Sequence, residues 1–308
     1  MTGHFPNPMP TCAACLFAAL MASSARAETV QVLDQLTLGE TRLDGEKIGE
    51  FSAMVRDPVG GGVLAISDRG YIAEIALEIA DDRIVRLEPV AVHVLTAADG
   101  TPMRDADFNP EGATLLEDGS IAIVDEAGPT LAVFDRAGKW LRDEALPLAV
   151  QDAAKQASDK DGIEAMSWTA ETGFLAMTEE PQLAQPRHLH TLHATLTDPA
   201  QITVPGNESV SIKSMEVAGD RLFILERTRD DVTDALTPWL RIVDPKDCPV
   251  TAPCTGLQLP IPVEGITDAD FEGLAALGDG LFLMVSDDKI DGDLRSVFVL
   301  MRVTEATE

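Results

Sequence analysis

The sequence predicts an all-β chain folded as a β-propeller of about five four-stranded blades. Six blades are the alternative, and the two ends of the chain are expected to meet in one blade. Three observations predict it. One hairpin pattern returns five times, and further strand-like runs fill the spaces between the copies. Helical patterning is confined to one short stretch, "VQDAAKQA" at 150–157.

The five copies are "FSAMVRDPVGGGVLAISDRG" at 51–70, "PEGATLLEDGSIAIVDEAG" at 110–128, "IEAMSWTAETGFLAMTEEP" at 163–181, "IKSMEVAGDRLFILERTRD" at 212–230 and "FEGLAALGDGLFLMVSDDK" at 271–289. Each has a short strand, a tight turn carrying Gly, and an apolar strand that ends in acidic residues. Their second positions are Ser52, Glu111, Glu164, Lys213 and Glu272, separated by 59, 53, 49 and 59 residues. Passing from Glu272 through the end of the chain and on from Glu28 to Ser52 adds 61 more, the length of one repeat. That closure favours five units. The runs "YIAEIALEI", "TLAVFDRAGKWL", "HLHTLHATL", "WLRIVDP" and "RSVFVLMRV" supply the remaining strands. Four strands in about 50 residues is the size of a propeller blade. The segment 228–262 is irregular enough to hide a partial sixth.

In an antiparallel hairpin the start of the first strand lies beside the end of the second. Glu111 therefore falls near Asp125 and Glu126, Glu164 near Glu179 and Glu180, and Glu272 near Asp287. Ser52 falls near Asp68 and Arg69, and Lys213 near Glu226 and Arg227. Repeated around a propeller, these hairpins predict a ring of carboxylates at one mouth of the central channel.

The first 27 residues read as a cleaved secretory signal: "TCAACLFAALMASSARA" is an apolar run ending in an A-x-A-like site before Glu28. Residues 28–308 are then one domain, expected in the periplasm or outside the cell. Cys12 and Cys15 leave with the signal. Cys248 and Cys254, in "CPVTAPC", are expected to form a disulfide in an oxidising compartment. No later segment approaches the roughly 20 apolar residues that span a bilayer.

Lys and Arg number 23 against 52 Asp and Glu, a formal charge of −29. Such a chain repels nucleic acid and anionic membrane, and attracts cations. A hard cation such as Ca²⁺ takes six to eight oxygen ligands. The ring offers Asp68, Glu111, Glu126, Glu164, Glu179, Glu226, Glu272 and Asp287. Arg69, Lys213 and Arg227 are the cationic partners that a phosphate would find there, or that would pair with the ring itself. "DADFEG" at 268–273 imitates the opening of an EF-hand loop. Its twelfth position would fall in a hairpin turn, so Asp268 and Asp270 are expected only to add to the mouth. His188, His190 and His193 in "RHLHTLH" read as a partly exposed strand. No G-x-S-x-G, H-E-x-x-H or Walker loop is present.

The ordered set Ser52 with Ser67-Asp68-Arg69-Gly70, Glu111-Gly112 with Asp125-Glu126, Ile163-Glu164-Ala165 with Glu179, Glu226-Arg227, and Phe271-Glu272-Gly273 with Ser286-Asp287 resembles the phytase-like family, also described as "esterase-like activity of phytase". Ala53 and Ala165 stand where that family usually has Gly, and Lys289 where Asn is more usual. The resemblance implies phosphoester or ester hydrolysis with Ca²⁺ in the acidic mouth. On that footing Arg69, Glu111, Glu164, Arg227 and Glu272 are the expected catalytic residues. Asp68, Glu126, Glu179, Glu226 and Asp287 are the expected metal ligands, and Arg69, Lys213 and Arg227 the expected phosphate contacts. The partner would be a small molecule, phosphorylated or not. The competing expectation is a non-enzymatic periplasmic propeller that binds a ligand or protein at the same mouth.

Overall fold

The computed structural model describes residues 28–104, 108–126, 128–158, 161–203, 210–249, 252–266, 268–287, 289–290 and 293–305. The signal segment expected over 1–27 lies outside the described residues. Five four-stranded antiparallel sheets form a ring, a five-bladed β-propeller. From channel to rim, blade 1 is Phe51–Arg56, Val63–Ser67, Tyr71–Ala80 and Arg83–Val94. Blade 2 is Pro110–Leu115, Ile121–Asp125, Thr130–Phe134 and Trp140–Glu144. Blade 3 is Ile163–Thr169, Gly173–Thr178, Leu189–Ala194 and Ala200–Thr203. Blade 4 is Val210–Ala218, Arg221–Arg229, Leu236–Val243 and Leu257–Pro260. Blade 5 is Phe271–Gly278, Leu281–Ser286, Ser296–Glu305 and, outermost, Glu28–Leu38. The first strands of the five blades contact one another in a closed cycle.

The fifth blade closes the ring as the repeat arithmetic implies. Glu28–Leu38 runs antiparallel to Ser296–Glu305, from Glu28 opposite Glu305 to Leu38 opposite Ser296. The irregular stretch after residue 228 holds no sixth unit. It supplies the two outer strands of blade 4, a single 3-10 turn at Pro245–Asp247, and the Cys248–Cys254 disulfide. The helical expectation at 150–157 shrinks to one 3-10 turn, Ala153–Lys155, capped by Asp152. Its backbone is already extended at Gln156, on the way into blade 3.

The core explains why the inner strands read as unbroken apolar runs. Each blade packs on both faces, so successive side chains enter two different inter-blade layers. Val63 and Ala65 join the layer between blades 5 and 1, while Leu64 and Ile66 join the layer between blades 1 and 2. The same division recurs around the ring in five apolar layers. Phe223 and Phe282 meet across blades 4 and 5 with ring centroids 4.6 Å apart. The hairpin turns keep the register. Asp279 and Gly280 both take positive φ, 51° and 72°, as a two-residue turn matched to strand twist requires.

His190 and His193 are buried, and His188 is exposed ahead of the strand, so the expectation of a partly exposed strand holds only at its start. The cause is position: Leu189–Ala194 is the third strand of a blade covered on both faces. His190 Nε2 lies 3.1 Å from Val210 O, and burial lowers its pKa to about 4.

Candidate functional site

All five second positions share one backbone device. In every blade the ladder between the first two strands slips at that point: between Phe51 and Ala53, Pro110 and Ala113, Ile163 and Ala165, Ile212 and Ser214, and Phe271 and Gly273. Ser52, Glu111, Glu164, Lys213 and Glu272 are thus bulge residues. A bulge leaves its extra residue out of the ladder and re-aims the side chain. Here that device lets a polar side chain leave an apolar strand and enter the mouth.

The residue after the bulge must be small. A Cβ on Gly273 would stand 2.6 Å from Val285 Cγ1, and one on Gly112 3.0 Å from both Met166 Cβ and Val124 Cγ1. Ala53 and Ala165 occupy the equivalent places and are fully packed. At those two positions the departure from Gly is accommodated within the same bulge.

The register defines a second tier opposite the residues that enter each first strand. Asp68 N donates to Glu50 O (3.0 Å), Glu126 N to Asn109 O (2.9 Å), Glu179 N to Gly162 O (2.8 Å) and Asp287 N to Asp270 O (2.8 Å). In blade 4 the matching pair is Arg227 and Ser211. Four blades thus present an acid at this level, and blade 4 presents Arg227. Blade 4 also presents Lys213 at the bulge level, where its neighbours present Glu.

Lys213 is nearly enclosed. Its Nζ lies 2.5 Å from Glu164 Oε1, 2.9 Å from Glu179 Oε1 and 2.9 Å from Glu272 Oε1. Burial alone would lower its pKa, but Glu164, Glu272 and Glu179 outweigh that and hold it well above the ordinary lysine range. Arg227 pairs with Asp270, and its Nη2 lies 3.0 Å from Glu179 Oε1. Arg69 pairs with Glu50 at 3.0 Å, while its Nε is buried with no hydrogen-bond partner. Its side chain is the most exposed of the three cations, at 35%.

The carboxylates fall into two overlapping trios. One oxygen each from Glu111, Glu164 and Glu272 lie within 4.8 Å of one another, and so do oxygens of Glu126, Glu164 and Glu179. Among the described residues no ion pair reaches Glu111. Burial raises its pKa well above the usual range, and Glu164, Asp68, Glu272 and Glu126 push it further. Glu164 is raised by burial despite Lys213, and Glu272 is pushed up to about 7 by burial. Asn109 Nδ2 joins the two levels of blade 2, donating to Glu111 Oε1 (2.7 Å) and Glu126 Oε2 (2.9 Å). Gly162 N donates to Glu126 Oε1 at 2.6 Å. Ser52 donates to Asp68 Oδ1.

The structure thus brings together Glu111, Glu126, Glu164, Glu179, Lys213, Arg227 and Glu272. Asp68 stands beside Ser52 at the same mouth, and Asp287 occupies the matching level of blade 5. Asp270 joins through Arg227, while Asp268 is exposed.

Glu226 does not join. It is fully buried against Arg241, with Nη2 to Oε2 at 3.0 Å, and accepts from Gln258 Nε2 at 2.6 Å. The reason is strand parity. Leu222 and Ile224 enter the layer shared with blade 3, and Glu226 continues that face. Phe223 and Leu225 enter the layer shared with blade 5, and it is Arg227 that follows them to the mouth. Sequence reasoning missed Glu50, Asn109, Ser211 and Asp270. The signal for them was available: each lies two residues before a bulge position.

Fold and site together define a five-bladed propeller with a charged mouth built from bulge residues. The sequence matches the phytase-like family, described as "Esterase-like activity of phytase", over residues 46–290, and the chain belongs to that family. No curated relative matches it. Among solved structures it is similar to the PQQ-bound aldose sugar dehydrogenase of Streptomyces coelicolor, at 11% identity and a TM-score of 0.48, covering 91% of this chain and 99% of that one. It is also similar to a DUF4221 member from Bacteroides vulgatus, at 8% identity and a TM-score of 0.45, covering 91% and 99%. Virginiamycin B lyase of Staphylococcus aureus follows, at 11% identity and a TM-score of 0.42, covering 86% and 98%. Likenesses at this level carry no argument about chemistry.

Proposed function

We propose that this protein is an exported, Ca²⁺-dependent hydrolase of phosphoric or related esters, acting at the acidic mouth. The observation that carries the reading is the trio Glu111, Glu164 and Glu272: three carboxylates from three blades, held at ligand spacing, with Glu111 touched by no cation among the described residues. Hard oxygen donors of this kind suit Ca²⁺. A cation there would also relieve the burial and mutual repulsion that raise their pKa values. Glu111, Glu164 and Glu272 would hold the ion, with Asp68 and Glu126 alongside. Bound there, Ca²⁺ would supply Lewis acidity, neutralising phosphate oxygens and lowering the pKa of water.

The chain's own residues do the positioning. Asn109 fixes Glu111 and Glu126 from one amide. Arg69 offers an under-used planar guanidinium to an anionic group at the mouth. Arg227 is held between Asp270 and Glu179, and orients those acids more than it offers a free fork. Export is supported by the apolar leader and the Cys248–Cys254 disulfide. No helix among the described residues is long and apolar enough to cross a membrane.

The test is hydrolysis of p-nitrophenyl phosphate, phytate and p-nitrophenyl acetate by the protein with Ca²⁺ and with chelator, beside Glu111→Gln. Ca²⁺-dependent turnover that Glu111→Gln abolishes supports the reading. Ca²⁺ binding without turnover of any of them would leave a ligand-binding propeller, a reading favoured by the neutralisation that Lys213 and Arg227 already provide.

A further inference from the structure

We infer that Lys213 is a built-in counter-cation, whose ammonium fills the blade 4 sector of the mouth in place of a bound ion and so limits how many ions the mouth takes up. The inference rests on the reading of the mouth as a metal site, and refines it.

The geometry is that of a coordination centre. Three carboxylate oxygens from three different side chains converge on Nζ at 2.5, 2.9 and 2.9 Å. The Lys213 side chain is 4% exposed, so water does not complete its shell from bulk. An ammonium has three donors and no acceptor, and here all three have carboxylate partners.

The register shows what it replaces. Blades 2, 3 and 5 place Glu at the bulge position, and blade 4 places Lys between two of them. Glu164 and Glu272 belong at once to the carboxylate trio with Glu111 and to the shell of Lys213. The oxygens facing Lys213 cannot also ligate a divalent ion without placing two cations within a few ångströms. At such distances like charges repel by several kcal/mol, about 4 kcal/mol at 4 Å in surroundings of intermediate dielectric. The wild-type mouth therefore leaves an ion the side near Glu111 and Asp68, away from blade 4.

Removal of the ammonium should open the blade 4 sector. The protein is stripped with chelator and equilibrated with CaCl₂. Bound calcium per chain is counted by atomic emission, and melting is followed in chelator and in Ca²⁺. Lys213→Met is expected to take up one more Ca²⁺ per chain than wild type, to melt lower in chelator, and to gain more from Ca²⁺. Lys213→Arg is expected to keep the wild-type count. Equal counts in wild type and Lys213→Met overturn the inference. If Lys213→Met does not fold in chelator, the double variant Lys213→Met/Glu179→Gln keeps the net charge of the mouth and is counted in its place. One more Ca²⁺ than wild type supports the inference, and the wild-type count overturns it. The two readings fail separately. Wild type without calcium beside Lys213→Met with one would remove the metal-dependent hydrolase and keep the counter-cation; calcium in both at equal count does the reverse.

Discussion

Glu226 and Arg241 meet inside blade 4 with neither side chain exposed to solvent, and Arg241 Nη1 also donates to Thr255 O at 2.5 Å. Thr255 follows Cys254, whose backbone bonds to Gln201 and Thr203 of blade 3. The pair thus ties the disulfide loop and the rim of blade 3 to the centre of blade 4. Breaking a buried ion pair from one side strands the other charge, at a cost of about 3–5 kcal/mol. Glu226→Ala is expected to destabilise by that amount in chemical denaturation and to leave Ca²⁺ affinity unchanged. A loss of Ca²⁺ affinity without a loss of stability would return Glu226 to the metal site.

Glu111 is the acid with least compensation, so its neutral variant should act in two directions. Glu111→Gln is expected to raise stability in chelator by about 1–3 kcal/mol, because a desolvated like-charged carboxylate is gone. The same change should weaken Ca²⁺ binding by tenfold or more. Calorimetric titration and melts in chelator measure the two effects independently. Lower stability in chelator would show that the Asn109 bond matters more than the repulsion.

Stability without metal should fall as pH rises. Folded Glu272 keeps its proton up to about 7, against an unfolded value near 4.3. Between those values the folded state binds more protons than the unfolded state, so the slope of stability against pH is negative. Glu111 and Glu164, also raised by burial, act in the same sense. Asp57, pulled down to about 2 by Arg136, opposes them only in more acid solution, below about pH 4. The protein in chelator is therefore expected to melt lower at about pH 8 than at about pH 5, and excess Ca²⁺ to flatten the difference. A melting temperature that climbs with pH in chelator contradicts this assignment.

Glu216 gives a control away from the mouth. It lies farther along the first strand of blade 4 and accepts from the backbone N–H of Ala276 in blade 5; burial raises its pKa to about 8. The unfolded chain ionises this group well before the folded one does, so the carboxyl is a cost at neutral pH. Glu216→Gln is expected to stabilise by about 1–3 kcal/mol at pH 7 and to change little near pH 4, with Ca²⁺ uptake unaltered. Equal effects at both pH values would mean that the group titrates normally.

Much of this arrangement was legible in the residues. The repeat spacing counts the blades, and the length left over at the two ends places Glu28–Leu38 beside Ser296–Glu305. The gathering of Glu111, Glu164 and Glu272 follows from hairpin geometry alone. Two things were not legible. A bulge shifts register by one residue, and nothing in a dipeptide such as Glu226-Arg227 tells which member faces the channel. The parity of Leu222, Ile224 and Glu226 settles it only once the inter-blade layers are known. Nor does local sequence show that Lys213 reaches acids on both neighbouring blades, because Glu164 and Glu272 are 49 and 59 residues away.

The strand that closes blade 5 has a consequence for when the mouth comes into being. Glu28 pairs with Glu305, so the last contact of the ring joins segments made at opposite ends of synthesis. Such long-range pairing folds late and slowly. Blade 5 carries Glu272 and Asp287, and its neighbour blade 1 carries Ser52 and Asp68; they become neighbours only when that contact forms. A chain threaded unfolded across a membrane assembles its mouth on the far side. The ions it first meets are then those of the destination, whatever was abundant where it was made.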